Sequence, residues 1–87
     1  VKKLVLNKLV RANMWGGKHT PLHFIIRGLP LHFRMTHSGQ KIVETSIKEL
    51  QNKEFLIAQQ KRTGKNYEIH ISLNPRKVEE IQTFLKQ

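Results

Sequence analysis

Five histidines are the side chains in this 87-residue sequence that most invite chemistry, and His19 and His23 stand four residues apart. On a helix that spacing puts two imidazoles on one face, where they can ligate zinc together. Against it, Pro21 reads as a helix start, so His19 falls ahead of the helix, and no Glu lies between the two as a zinc peptidase needs. His32, His37 and His70 complete the set. A surface that changes charge near pH 6–7 is the rival reading of the same residues. All six acids are Glu; there is no Asp and no Cys. That excludes a disulfide scaffold, thiolate zinc sites, a Cys nucleophile and any Asp-based dyad. Gly16-Gly17 stands alone and makes no phosphate loop. The expectation is a protein with no catalytic residues, no metal and no cofactor, and with no small-molecule ligand evident.

Charge is the stronger signal. Sixteen Lys and Arg against six acids leave a formal net charge of +10. Residues 1–40 hold Lys2, Lys3, Lys8, Arg11, Lys18, Arg27 and Arg34 and no acid, whereas residues 41–87 balance at +3. A surface this lopsided concentrates polyanions. Solubility alone needs only a few net charges. The most apolar stretch, residues 22–33, is interrupted by His23, Arg27, Gly28, Pro30 and His32. It is too broken for the ~20 apolar residues of a membrane span, and Asn7 and Lys8 break the first apolar run too early for a signal segment. A cytoplasmic protein without membrane contact is expected, with an initiator or a longer N-terminus ahead of Val1.

Periodicity lays out the elements that carry these charges. Leu6, Leu9 and Val10 predict a helix over residues 3–13, ended by Trp15-Gly16-Gly17. Thr20-Pro21 reads as a cap followed by Pro at the first helical position. Leu22, Ile25, Ile26 and Leu29 then recur at helical spacing until Gly28 and Pro30 stop the segment. Residues 31–38 are ambiguous, with Thr36 or Ser38 as cap of the next helix. From Lys41, the residues Val43, Ile47 and Leu50 share one face, Lys41, Thr45, Lys48 and Asn52 the opposite one, and Glu44 with Lys48 makes a favourable i,i+4 pair. Residues 55–58 predict a strand, residues 59–66 a basic turn, and the alternation Tyr67, Ile69, Ile71, Leu73 a half-buried strand. Asn74-Pro75 repeats the cap-plus-Pro device ahead of a last amphipathic helix with Val78, Ile81, Phe84 and Leu85. Residues 1–87 thus form one domain: helix and Gly-Gly turn over 1–17, two helices and a strand over 18–58, a basic hairpin over 59–73, and a C-terminal helix over 74–87.

This order resembles the winged helix-turn-helix family, small archaeal members included. The resemblance is carried by the helix over 20–29, the Gly28/Pro30 break, the stretch 40–53 running into Phe55-Leu56-Ile57, the basic hairpin, and the ending Ile69-His70-Ile71-Ser72-Leu73-Asn74-Pro75. It covers about two-thirds of the chain, roughly residues 18–73. The segment 29–38 is longer than the three- or four-residue turn usual there. The resemblance implies an α+β fold, a winged helix-turn-helix with a three-helix core, a two-stranded β-hairpin wing and a flanking C-terminal helix. It also implies binding to double-stranded DNA, with the helix over 40–53 in the major groove and the wing on the flanking groove or backbone.

The residues agree with that implication on their own chemistry. Gln40, Lys41, Thr45 and Lys48 offer donors to base edges and phosphates. Lys61, Arg62 and Lys65 suit a narrow electronegative groove, Lys18 a phosphate, and the N–H groups around Ser38 an anion. Each also has an ordinary reading: a solvated helix face for Lys41, Thr45 and Lys48, or edge charges that deter strand pairing for Arg62 and Lys65. Trp15 reads as a core or interface anchor. A transcriptional regulator or chromatin-associated factor is expected, paired as a homodimer through its first and last helices. The alternative is a protein–protein interaction module without DNA readout.

Overall fold

The computed structural model describes residues 1–87. In chain order it contains α1 (Lys2–Arg11), β1 (Thr20–Pro21), α2 (Leu22–Arg27), α3 (Leu31–Met35), α4 (His37–Asn52), β2 (Leu56–Thr63), β3 (Asn66–Leu73), a 3-10 turn (Pro75–Lys77) and α5 (Val78–Lys86). The fold is α+β, with five helices and one three-stranded antiparallel sheet in the order β1-β3-β2.

One apolar cluster holds these pieces together. It takes Val5, Leu6 and Leu9 from α1, Ile25 from α2 and Leu29 after it, and Val43, Ile47 and Leu50 from α4. Phe55, Leu56, Ile71, Leu73 and Ile81 complete it. The helical members are positions that helical periodicity selects, since only one stripe of each short element can leave water at a time; of the alternating set on β3, Ile71 and Leu73 are buried and Tyr67 and Ile69 exposed. Trp15 is half-buried against the cluster, and its backbone bridges to Leu73.

Two helices end in the same way. After α1, Asn13 adopts φ +56°, its N–H bonds to the Val10 carbonyl, and the Met14 N–H bonds to the Leu9 carbonyl, each at 3.0 Å. After α4, Glu54 adopts φ +64°, and the Phe55 N–H reaches the Leu50 carbonyl at 3.0 Å. This is the Schellman ending, normally built on glycine. Helix α1 therefore ends at Arg11, with Asn13 making the turn, ahead of the Gly-Gly pair expected to stop it. Leu50 and Phe55 both lie in the buried cluster, the apolar closure the motif favours.

Several expectations are corrected. Thr20 and Pro21 are no helix start: they pair with Ile71 and His70 as β1, and α2 begins at Leu22. The three-helix core gains a further short helix, because residues 31–35 close a turn of their own behind Pro30. Thr36, not Ser38, then caps α4, its Oγ1 accepting from the Gly39 N–H at 2.9 Å. The Thr36 hydroxyl also donates to the His32 carbonyl at 2.8 Å. Gly39 is buried where α4 crosses α3, and a Cβ there would stand 2.4 Å from the His32 carbonyl oxygen and 2.8 Å from the Phe33 Cα. The hairpin is longer and tighter than expected. Its ladder runs from Leu56↔Leu73 to Thr63↔Asn66, so the loop is only Gly64-Lys65. Gly64 has φ +61°, which the first position of a type II′ turn requires.

Candidate nucleic-acid interface

The hairpin carries its charges away from the body. Residues 58–67 are all exposed, while Ile71, Ser72 and Leu73 at the base of β3 are buried. Opposed residues share a face of the ladder, so Arg62 lies with Tyr67 on one side, and Lys61 with Glu68 on the other. Only Lys65 sits in the turn. The expectation that Lys61, Arg62 and Lys65 occupy one tip is therefore corrected: two of them are neighbours on a strand and point to opposite faces. Arg62 donates from Nε to the Gly64 carbonyl at 3.3 Å, which folds its guanidinium back toward the loop.

On α4, Lys41, Thr45, Lys48 and Asn52 are all exposed along one ridge. The ridge runs between two hollows. On one side Lys2 of α1 forms an ion pair with Glu49 beside Lys41 and Thr45. On the other, Lys48 and Gln51 rim a groove of about 400 Å³ whose floor includes Ile26, Val43, Ile47 and Ile69. The expected Glu44–Lys48 ion pair is not formed, and neither Lys41 nor Lys48 pairs with an acid. Both ammonium groups are thus unneutralised within the chain.

The start of α4 is more committed than expected. Gln40 donates from Nε2 to the Arg34 carbonyl at 2.8 Å, so its amide holds the end of α3. The N–H of Gly39 serves the Thr36 cap, and that of Gln40 bonds to the Thr36 carbonyl at 3.0 Å. Ser38 is exposed on the same turn. Lys18 is exposed in the loop before β1.

Two features escaped sequence reasoning. Tyr67 is 64% exposed beside Arg62. Its place in the alternation made it look buried, but the core reaches only as far up the hairpin as Ile71. The second is a histidine cluster. His19 and His70 meet Nδ1 to Nδ1 at 2.8 Å, His70 Nε2 is 3.2 Å from Glu68 Oε2, and His23 Nδ1 is 3.9 Å from Glu68 Oε1. Partial burial, then the charges of Lys61 and His70, hold His19 below the usual imidazole pKa. The only sequence signal was the His19/His23 spacing, which pointed to the wrong partner. No group of three or more His, Cys, Asp or Glu is arranged to hold a metal ion.

No helix is long and apolar enough to cross a membrane. The chain matches no protein-family model, no curated protein and no solved structure.

Proposed function

We propose that this protein is a winged-helix DNA-binding protein, a transcriptional regulator or chromatin-associated factor acting in the cytoplasm or on the nucleoid. The observation that carries the reading is the pairing of an exposed, unneutralised ridge on α4 with a protruding basic hairpin. The element order supports it too: a helix, a short strand on the hairpin's edge, a helical pair and then the hairpin is the winged-helix plan. In this reading Lys41, Thr45 and Lys48 enter the major groove, and Lys61, Arg62 and Lys65 track the flanking groove or backbone. Ser38 and Lys18 contact the backbone, and Gln40, its amide bonded to the Arg34 carbonyl, braces the start of α4 beside them. Tyr67 adds a ring to the hairpin face that carries Arg62. Pairing of two copies through α1 and α5 would set two half-sites about one helical turn apart.

The test is fluorescence anisotropy of a labelled random-sequence duplex at two salt concentrations. Micromolar binding that falls steeply with salt is expected. Binding that is absent at low salt would sink the reading. A second reading, a protein-interaction module without DNA readout, draws on exposed apolar side chains outside the ridge. Phe24 is 54%, Leu31 61% and Met35 72% exposed on α2 and α3. Absent DNA binding, with Leu31→Ser and Met35→Ser abolishing self-association or partner capture, would favour that reading.

A further inference from the structure

The 2.8 Å separation of His19 Nδ1 and His70 Nδ1 leaves room for a single proton between the rings. One imidazole donates and the other accepts. The Glu68 carboxylate beside His70 Nε2 can only accept, so His70 carries its proton on Nε2 and presents a lone pair at Nδ1. His19 then donates from its own Nδ1, and with its Nε2 unprotonated both rings are neutral.

A first added proton can be held at His70 Nδ1, with Glu68 as counter-ion, provided His19 changes tautomer and becomes the acceptor. A second proton sets two donors face to face, and the rings must part. The charged and titratable groups facing the pair are few. They are Lys61 from β2, opposite Glu68 on the ladder, Glu68 from β3, and His23 from α2. Glu68 is the one acid among them.

Resting on the DNA-binding reading above, we propose that the His19–His70 pair is a proton-coupled phosphate site: a nucleic-acid phosphate held by Lys61 brings a proton onto the pair. The phosphate neutralises Lys61 and so cancels the repulsion Lys61 exerts on an imidazolium of His19. By linkage, whatever favours the protonated pair on binding also tightens binding as the pH falls. Each proton taken up strengthens binding by up to about tenfold per pH unit. Duplex affinity should therefore rise roughly three- to tenfold from pH 7.5 to pH 6.0 at constant ionic strength.

The experiment is calorimetric titration of a 20-base-pair random duplex into the full chain at pH 6.5, in two buffers of different ionisation heat. The heats should differ by the uptake of about one proton. His19→Gln and His70→Gln should each lose most of that uptake, and His32→Gln on α3 should keep it. Binding with equal heats in the two buffers overturns the inference and leaves the DNA reading standing. So does uptake that persists in both the His19 and His70 variants. No binding at low salt overturns both. Imidazole NMR titration of the free wild-type protein checks the pair without any variant: His19 should titrate below its usual range. A His19 titration at the ordinary value would overturn the proposal.

Discussion

Asn74 Nδ2 donates to the Glu54 carbonyl at 2.9 Å, across 20 residues of chain, and so ties the end of β3 to the corner where α4 turns into β2. The same side chain accepts from the Arg76 N–H at 3.0 Å, and the Asn74 N–H bonds to the Phe55 carbonyl at 3.0 Å. One amide thus caps the C-terminal helical segment and pins the base of the hairpin. Asn74→Ala removes both side-chain bonds while sparing the backbone one. It should cost about 1–2 kcal/mol, the range for removing a cap and one further hydrogen bond. A chemical-denaturation midpoint equal to wild type would show that the tie contributes nothing.

Glu54 itself holds φ +64°, where an L side chain is strained by roughly 1–2 kcal/mol. Glycine removes the strain and gives back about 0.5–1 kcal/mol through the freedom of its unfolded chain. Glu54→Gly should therefore stabilise by about 0.5–1 kcal/mol, a rise in Tm of a few degrees for a domain of this size. Differential scanning calorimetry decides the sign.

At Gly39 the sign is reversed, since φ there is ordinary and space is the issue. The atoms a Cβ would strike include the His32 carbonyl and the Phe33 Cα, which are backbone and cannot swing aside. Gly39→Ala should force α3 away from α4 and cost about 1–3 kcal/mol, as overpacking does. Gly64→Ala, where a Cβ meets nothing within 4 Å, tests backbone strain without crowding.

The folded pKa of His19 is lowered, so below the ordinary value of 6.5 the unfolded chain binds more protons than the folded one. Stability of the free protein should fall as the pH drops from about 6.5 toward the folded value. His19→Gln should flatten that slope. Thermal melts from pH 7.5 to 5.0 read it directly. Duplex binding is expected to strengthen over the same window, so the two pH dependences run in opposite directions.

Salt dependence separates the two halves of the proposed interface. Lys41→Ala with Lys48→Ala, and separately Lys61→Ala with Lys65→Ala, should each shrink the slope of log K against log salt by about one for every phosphate left unneutralised. A change in slope for the α4 pair alone would restrict contact to the helix. Thr45→Ala should alter sequence preference and leave the slope unchanged.

Short-range patterning was enough to lay out the helix proposed to face DNA. Val43, Ile47 and Leu50 fix the inner face of α4, and by subtraction they make Lys41, Thr45, Lys48 and Asn52 the outer one. Asn74-Pro75 announces its cap in the same local way. The other features could not be read locally, because each needs a partner far along the chain. Thr20 and Pro21 are a strand only because Ile71 and His70 lie beside them. Pro after Thr carries no local sign that tells a strand edge from a helix start. The hairpin ladder runs past Gln59 because cross-strand pairing costs little once Leu56 and Leu73 are buried opposite each other. That extension moves Lys61 and Arg62 out of the turn and onto opposite faces. His19 meets His70 across 51 residues because β1 docks on β3. Only that docking turns a lone surface histidine into half of a pair that shares one proton.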